Sequence, residues 1–200
     1  MILKRKAFYT GTEEIMEIRQ ATVEDVEGVV ALLQANHADN LTEEEKKDGF
    51  VTTKMTNEQM EALIEQENGI TIAVKDGKVV AFAMAGSWQF WSEWPLFQKM
   101  IELLPEFEYN GVVPDMENSY QYGPICVDRS VRGTGVFHDV FMESLRSMKD
   151  RYPMMITFIN QVNPLSYAAH TRKVRMDEVG TFDFNGSHYW WMACPTDMEC

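Results

Sequence analysis

Between Tyr122 and Phe137 the chain reads Tyr-Gly-Pro-Ile-Cys-Val-Asp-Arg-Ser-Val-Arg-Gly-Thr-Gly-Val-Phe, and no other stretch restricts its fold as much. The segment has the pattern of a strand, then a turn holding Gly133 and Gly135, then an amphipathic helix with Val136, Val140, Phe141, Leu145 and Met148 on one face. Glycines at such a junction let the backbone approach a ligand closely, and a helix N-terminus turns unpaired N–H groups toward an anion. A pyrophosphate suits the turn. Gly-x-Gly alone is a weak signal, since a purely structural link between strand and helix is its commoner meaning, and the rest of the chain has to decide.

Gly123-Pro124 falls inside the strand Tyr120 to Val127. Proline cannot donate to a ladder, so a bulge or an unpaired edge is expected there. Upstream, Met16 to Ala21 alternates as a first strand, and Val26, Val29, Val30, Leu32 and Leu33 follow Thr22 with helical spacing. Thr42…Glu45 and Thr56…Gln59 are capping-box starts for two short helices around a bend at Gly49-Phe50. Ile70 to Lys75 and Lys78 to Ala85 flank Asp76-Gly77, a strong hairpin signal because both turn positions need positive φ. Residues 87–118 form an aromatic-rich insertion, with a helix expected from Pro95 to Leu104. Met154 to Ile159 reads as a buried strand and Pro164 to Lys173 as a helix. Val179 to Phe184 and His188 to Met192 form a last hairpin turned by Asn185-Gly186.

With 200 residues the chain suits a single domain over residues 16–194, preceded by a loosely attached extension at 1–15 in which Met16 is a candidate alternative start. A net charge of −13 opposes non-specific binding to nucleic acid or an anionic membrane. No signal peptide or membrane-spanning run is evident. Cys126, Cys194 and Cys200 make no paired framework, so a reduced, cytoplasmic protein is expected. His37, His138 and His188 are scattered, with no spacing that suggests a metal site.

The element order β, α, α, β, β, (α), β, α, β, α, β, β, with the glycine turn after the fourth strand, resembles the GCN5-related N-acetyltransferase (GNAT) superfamily from Met16 to Cys194. The family signature Arg/Gln-x-x-Gly-x-Gly/Ala is matched by Arg132-Gly133-Thr134-Gly135-Val136-Phe137 except at Phe137, where the family has a small residue. Asn163-Pro-Leu-Ser166-Tyr167-Ala-Ala-His170 resembles its Asn-x-x-Ala-x-x-x-Tyr, and Arg175-Met176 stands where Gly-Phe is common. The resemblance implies an α/β fold, a mixed sheet of about six to seven strands flanked by helices with a splayed fourth strand. It also implies acetyl-CoA as cosubstrate. Backbone N–H groups of residues 132–137 would cradle the pyrophosphate, Ile125, Cys126 and Val127 would pair with the pantetheine arm, and Asn163 and Ser166 would lie beside it. The oxyanion donor would be a backbone N–H near Cys126 or Val127. His170, in place of the usual tyrosine, would protonate the leaving thiolate, with Tyr167 as fallback. Tyr120 and Tyr122, with Glu117 just before them, are the base candidates.

Plainer roles compete with several of these. Tyr120 and Tyr122 share a strand face and suit ordinary core aromatics, and Cys126 suits a small buried hydrophobe. The Trp88–Trp94 cluster fits core, a lid over the acceptor site, or a homodimer surface. The expected activity is transfer of acetyl to a primary amine of a small molecule or peptide, with the acidic charge attracting a cationic acceptor such as a polyamine or aminoglycoside. The alternatives are a non-catalytic acyl-CoA-binding regulatory module of the same fold, and an interaction protein that docks through its aromatic insertion.

Overall fold

The computed structural model describes residues 16–198, so the extension expected at residues 1–15 lies outside the described residues. Strands β1 Glu17–Gln20, β2 Ile70–Lys75, β3 Lys78–Gly86, β4 Ser119–Val127, β5 Met154–Asn160, β6 Asp177–Phe184 and β7 Ser187–Pro195 form one sheet in the order β1-β2-β3-β4-β5-β7-β6. β4 and β5 run parallel, and every other neighbouring pair is antiparallel. The helices are α1 Val26–Ala35, α2 Glu43–Lys46, α3 Asn57–Glu67, α4 Trp88–Trp91, α5 Pro95–Leu103, α6 Val136–Met148 and α7 Pro164–Lys173. The capping boxes of α2 and α3 form as expected at Thr42/Glu45 and Thr56/Gln59. Both hairpin turns place two residues at positive φ, Asp76-Gly77 and Asn185-Gly186.

Alternation along the strands sorts the core into two layers. On β3, Phe82 and Met84 face the layer of α1, α3, α4 and α5, while Ala81, Ala83 and Ala85 face α6. Three small side chains in succession leave room for α6, whose Val136, Val140, Phe141, Leu145 and Met148 pack on that side. The aromatic insertion is core. Trp88 and Trp91 have no exposed surface, Trp91 packs at a tilt against Phe97 with centroids 4.9 Å apart, and Trp88 Nε1 donates to Ser119 Oγ over 3.0 Å. Ser87 Oγ accepts from the Phe90 N–H and so starts α4, a helix without a sequence signal as strong as the other caps.

The feature that opens the molecule lies in β4. Ala83 faces Ile125 and Ala85 faces Tyr122, so Gly123 and Pro124 together oppose Met84 alone. This is the expected bulge, with Gly123 at φ +103° and Pro124 offering no N–H. A Cβ on Gly123 would stand 3.4 Å from Thr157 Oγ1, so a side chain there would meet β5. β4 and β5 pair only from Ser119–Met154 to Gln121–Ile156. Beyond that, β4 stays with β3 and β5 with β7, and a wedge opens between them. At its apex the Tyr122 carbonyl accepts from Thr157 Oγ1 and from Gln121 Nε2, each at 2.5 Å.

Candidate active site

The wedge leads into two cavities that share Phe50, Val51, Ile125, Asn163 and Ser166. The larger, about 480 Å³, lies between the glycine turn, the start of α6 and the exposed side of α7. The smaller, about 90 Å³, lies at the wedge apex.

The glycine turn is built by local hydrogen bonds. Asp128 Oδ1 accepts from the Ser130 N–H and hydroxyl, which hold its carboxyl below the usual range. Gly133 and Gly135 take φ +81° and +94°, conformations that a side chain would strain. The Thr134 hydroxyl donates to the Val131 carbonyl at 2.7 Å, so this side chain stabilises the turn. Asp139 N to Gly135 O is the first bond at the head of α6. The N–H groups of Val136, Phe137 and His138 therefore have no acceptor within the helix, and together with the helix dipole they favour an anion. The charge of the larger cavity runs against that of the whole chain: among the described residues, Arg132, Arg172 and Lys173 line it against the single carboxylate Asp48.

Phe137, the departure from the signature, lines the cavity without filling the turn. Its ring meets His170 edge-on at 5.2 Å, with Lys173 Nζ 5.9 Å from its centroid, so it ties α6 to α7. Arg132 donates through Nε to the Val127 carbonyl (3.1 Å), through one terminal nitrogen to the Asp48 carbonyl (2.9 Å) and through the other to Asn36 Oδ1 (3.4 Å). Asn163 Oδ1 caps α7 by accepting from the Ser166 N–H, while its Nδ2 donates to the Phe50 carbonyl at 3.0 Å. The two motif residues thus fasten one loop, residues 48–50, to opposite walls of the cleft.

Strand alternation identifies the backbone donors facing the wedge. Asp128 N bonds Val80 O on β3, so Cys126, two residues earlier, also turns its N–H toward β3, and Ile125 and Val127 turn theirs away. Cys126, expected as a donor candidate, is thereby removed from that role; its thiol is 4% exposed and burial pushes its pKa far up. Ile125 sits where the two cavities meet.

Of the five residues expected to move protons, Glu117 is exposed and lines neither cavity, and the other four fare differently. Tyr120 and Tyr122 are fully buried on the α6 side, with hydroxyls that make no hydrogen bond and pKa values raised by desolvation. Tyr122 packs edge-on against Phe141 at 5.3 Å. As phenols sealed in the core they are not placed to take a proton from an incoming amine. Tyr167 turns away from the cleft: its hydroxyl donates to Glu178 at 2.6 Å and its ring packs on Trp190 at 4.3 Å. His170 lines the smaller cavity. Its Nδ1 lies 2.8 Å from the Ser166 carbonyl, which can only accept, so Nδ1 carries the proton and Nε2 the lone pair. Burial pulls its pKa down to about 4. In this tautomer the neutral ring offers a lone pair at Nε2, so it must first take up a proton before it can deliver one as the expected acid.

Residues that sequence reasoning missed are Gln121, Thr157, Phe50 and Phe97 around the smaller cavity and Arg172 and Lys173 along the larger one. Gln121 was legible: it sits between Tyr120 and Tyr122 and must point to the opposite face. The loop and insertion residues carried no comparable signal.

No protein-family model matches the sequence, and no curated protein matches it. Solved structures do. An N-acetyltransferase from Staphylococcus aureus Mu50 is 19% identical with a TM-score of 0.57, over 91% of this chain and 99% of that one. The yncA protein of Salmonella typhimurium, solved with its cofactor acetyl-CoA, is 12% identical with a TM-score of 0.60, over 92% and 95%. An acetyltransferase of the GNAT family from Streptococcus pneumoniae is 12% identical with a TM-score of 0.59, over 90% and 98%. Identities this low speak to architecture alone, and on that ground the chain has the fold of the GCN5-related N-acetyltransferase superfamily.

Proposed function

We propose that the chain is an acetyl-CoA-dependent N-acetyltransferase acting on a primary amine by direct attack. The observation that carries this reading is the cleft itself. A splayed strand with outward N–H groups leads to a glycine turn with unpaired helix N–H groups, and three cations line the cavity of a protein whose net charge is −13. The donor set fits a long ligand with an amide-rich arm and an anionic end.

When bound, acetyl-CoA supplies the thioester carbonyl that the amine attacks, giving an amide and a free thiol. Ile125 N–H, at the junction of the cavities, is the donor for the developing oxyanion. His170 Nε2 accepts the proton that the amine gives up, while the Ser166 carbonyl keeps the ring in the required tautomer. With its pKa so low, the protonated ring surrenders the proton readily, and the departing sulfur can take it. One imidazole thus serves both proton transfers. Gly133, Gly135 and the head of α6 hold the anionic end, and Phe137 with Lys173 forms the wall toward α7.

Calorimetry with acetyl-CoA and thiol release across an amine panel test the proposal. Binding with turnover is expected. Absence of binding at millimolar concentration would refute it, and tight binding without thiol release from any amine would favour the regulatory module.

A further inference from the structure

The smaller cavity holds a group that the proposed proton transfers leave unused. Gln121 is 1% exposed and lines this cavity. Its Nε2 is spent on the Tyr122 carbonyl, but its Oε1 is buried with no hydrogen-bond partner. An amide oxygen in that state is costly, and a ligand N–H relieves it. Nearby, Thr157 Oγ1 donates to the same Tyr122 carbonyl and so leaves Gln121 to serve as acceptor.

The rest of the lining decides what kind of molecule carries that N–H. Phe50, Phe97 and Phe158 supply apolar surface, the last two meeting edge-on at 5.8 Å. Among the described residues no Asp, Glu, Lys or Arg lines this cavity, and His170 is neutral. The acidic field of the whole protein therefore has no local counterpart here. A second ammonium on the acceptor would be stripped of water with no carboxylate to replace it.

We propose that this cavity is the acceptor site, that Gln121 Oε1 receives an N–H of the attacking amine, and that the site selects a primary amine on a short, uncharged body over a polycation. This rests on the transfer reading above and narrows its substrate class. Gln121 cannot take up a proton, so it is a positioning residue.

Butylamine and 1,4-diaminobutane test the proposal directly, because they differ only by the distal ammonium. Each is titrated calorimetrically into protein saturated with coenzyme A, and each is assayed for thiol release from acetyl-CoA. Butylamine should be favoured by about tenfold or more in affinity and in kcat/KM. Equal or reversed preference, as an aromatic cage for cations would give, overturns the proposal, as does failure of both amines to bind. Preference in binding without any thiol release supports the amine site at Gln121 and refutes the transfer reading, so the two fail separately. Gln121→Leu, close in volume, should raise KM for butylamine about tenfold with kcat changed much less and acetyl-CoA affinity unchanged. An unchanged KM removes Gln121 from the site.

Discussion

Acidification from pH 7.5 to 4.5 puts the burial of His170 to a quantitative test. The ring is 3% exposed, and its pKa falls from 6.5 to about 4, chiefly by desolvation and against the opposing pull of the Ser166 carbonyl. In the unfolded chain the imidazole takes its proton near pH 6.5. Between those values the unfolded state binds a proton that the folded state refuses. The stability contributed by the neutral ring is therefore fully present above the unfolded pKa and is lost as pH falls toward the folded one. At about 1.36 kcal/mol per unit, the shift amounts to about 3 kcal/mol in all, of which about 2.5 kcal/mol is lost by pH 4.5. His170→Phe keeps a ring between Phe137 and Tyr122 but cannot titrate. The carboxylates titrate alike in both proteins, so the difference isolates the histidine. Urea unfolding at the two pH values should show the wild type losing about 2.5 kcal/mol more than the variant. Equal losses would refute the buried neutral imidazole, and with it the base role.

Asn163→Ala removes both the α7 cap and the bond to the Phe50 carbonyl; it should cost about 2 kcal/mol in denaturant unfolding and weaken acetyl-CoA in calorimetry, and Asn163→Asp, which keeps the capping oxygen but sets a second acceptor against the Phe50 carbonyl, should weaken acetyl-CoA as well. Tyr120→Phe and Tyr122→Phe each delete a buried hydroxyl that has no partner, so stability should stay within about 0.5 kcal/mol or rise, with thiol release unchanged. A tenfold loss of turnover in either variant would return that phenol to the chemistry. Gly69→Ala would set a Cβ 2.1 Å from the Ala85 carbonyl; thermal melts should report a loss of about 3 kcal/mol.

The parts of the fold that were legible in the sequence are those in which one residue type has one physical use. Asp76-Gly77 and Asn185-Gly186 occupy the positive φ they announce, and Thr42 and Thr56 cap the helices they precede. Gly123-Pro124 makes the bulge from which the wedge opens. The site was harder to read because its side chains have several possible partners. Arg132 and Asn163 were expected to face a ligand, and both also hold a loop distant in sequence. Which tautomer His170 adopts depends on the Ser166 carbonyl, a helix contact without any residue-type signature. The insertion's aromatic residues could be counted but not oriented, and only the packing shows Phe97 reaching the smaller cavity while Trp88 and Trp91 stay in the core.

The fastened loop also bears on which changes of length this chain can accept. Arg132 grips the Asp48 carbonyl from the β4 wall and Asn163 grips the Phe50 carbonyl from the α7 wall. Two peptide steps separate those carbonyls, a reach of roughly 7 Å at full extension. One added residue there would slacken the tie and let the walls drift, and one deleted would pull a fastener loose. Downstream, Lys54 is exposed, in irregular chain outside both grips, where extra residues cost only a little loop entropy. Descendants of this chain are thus free to lengthen the approach to the cleft, while its gauge is held to the residue.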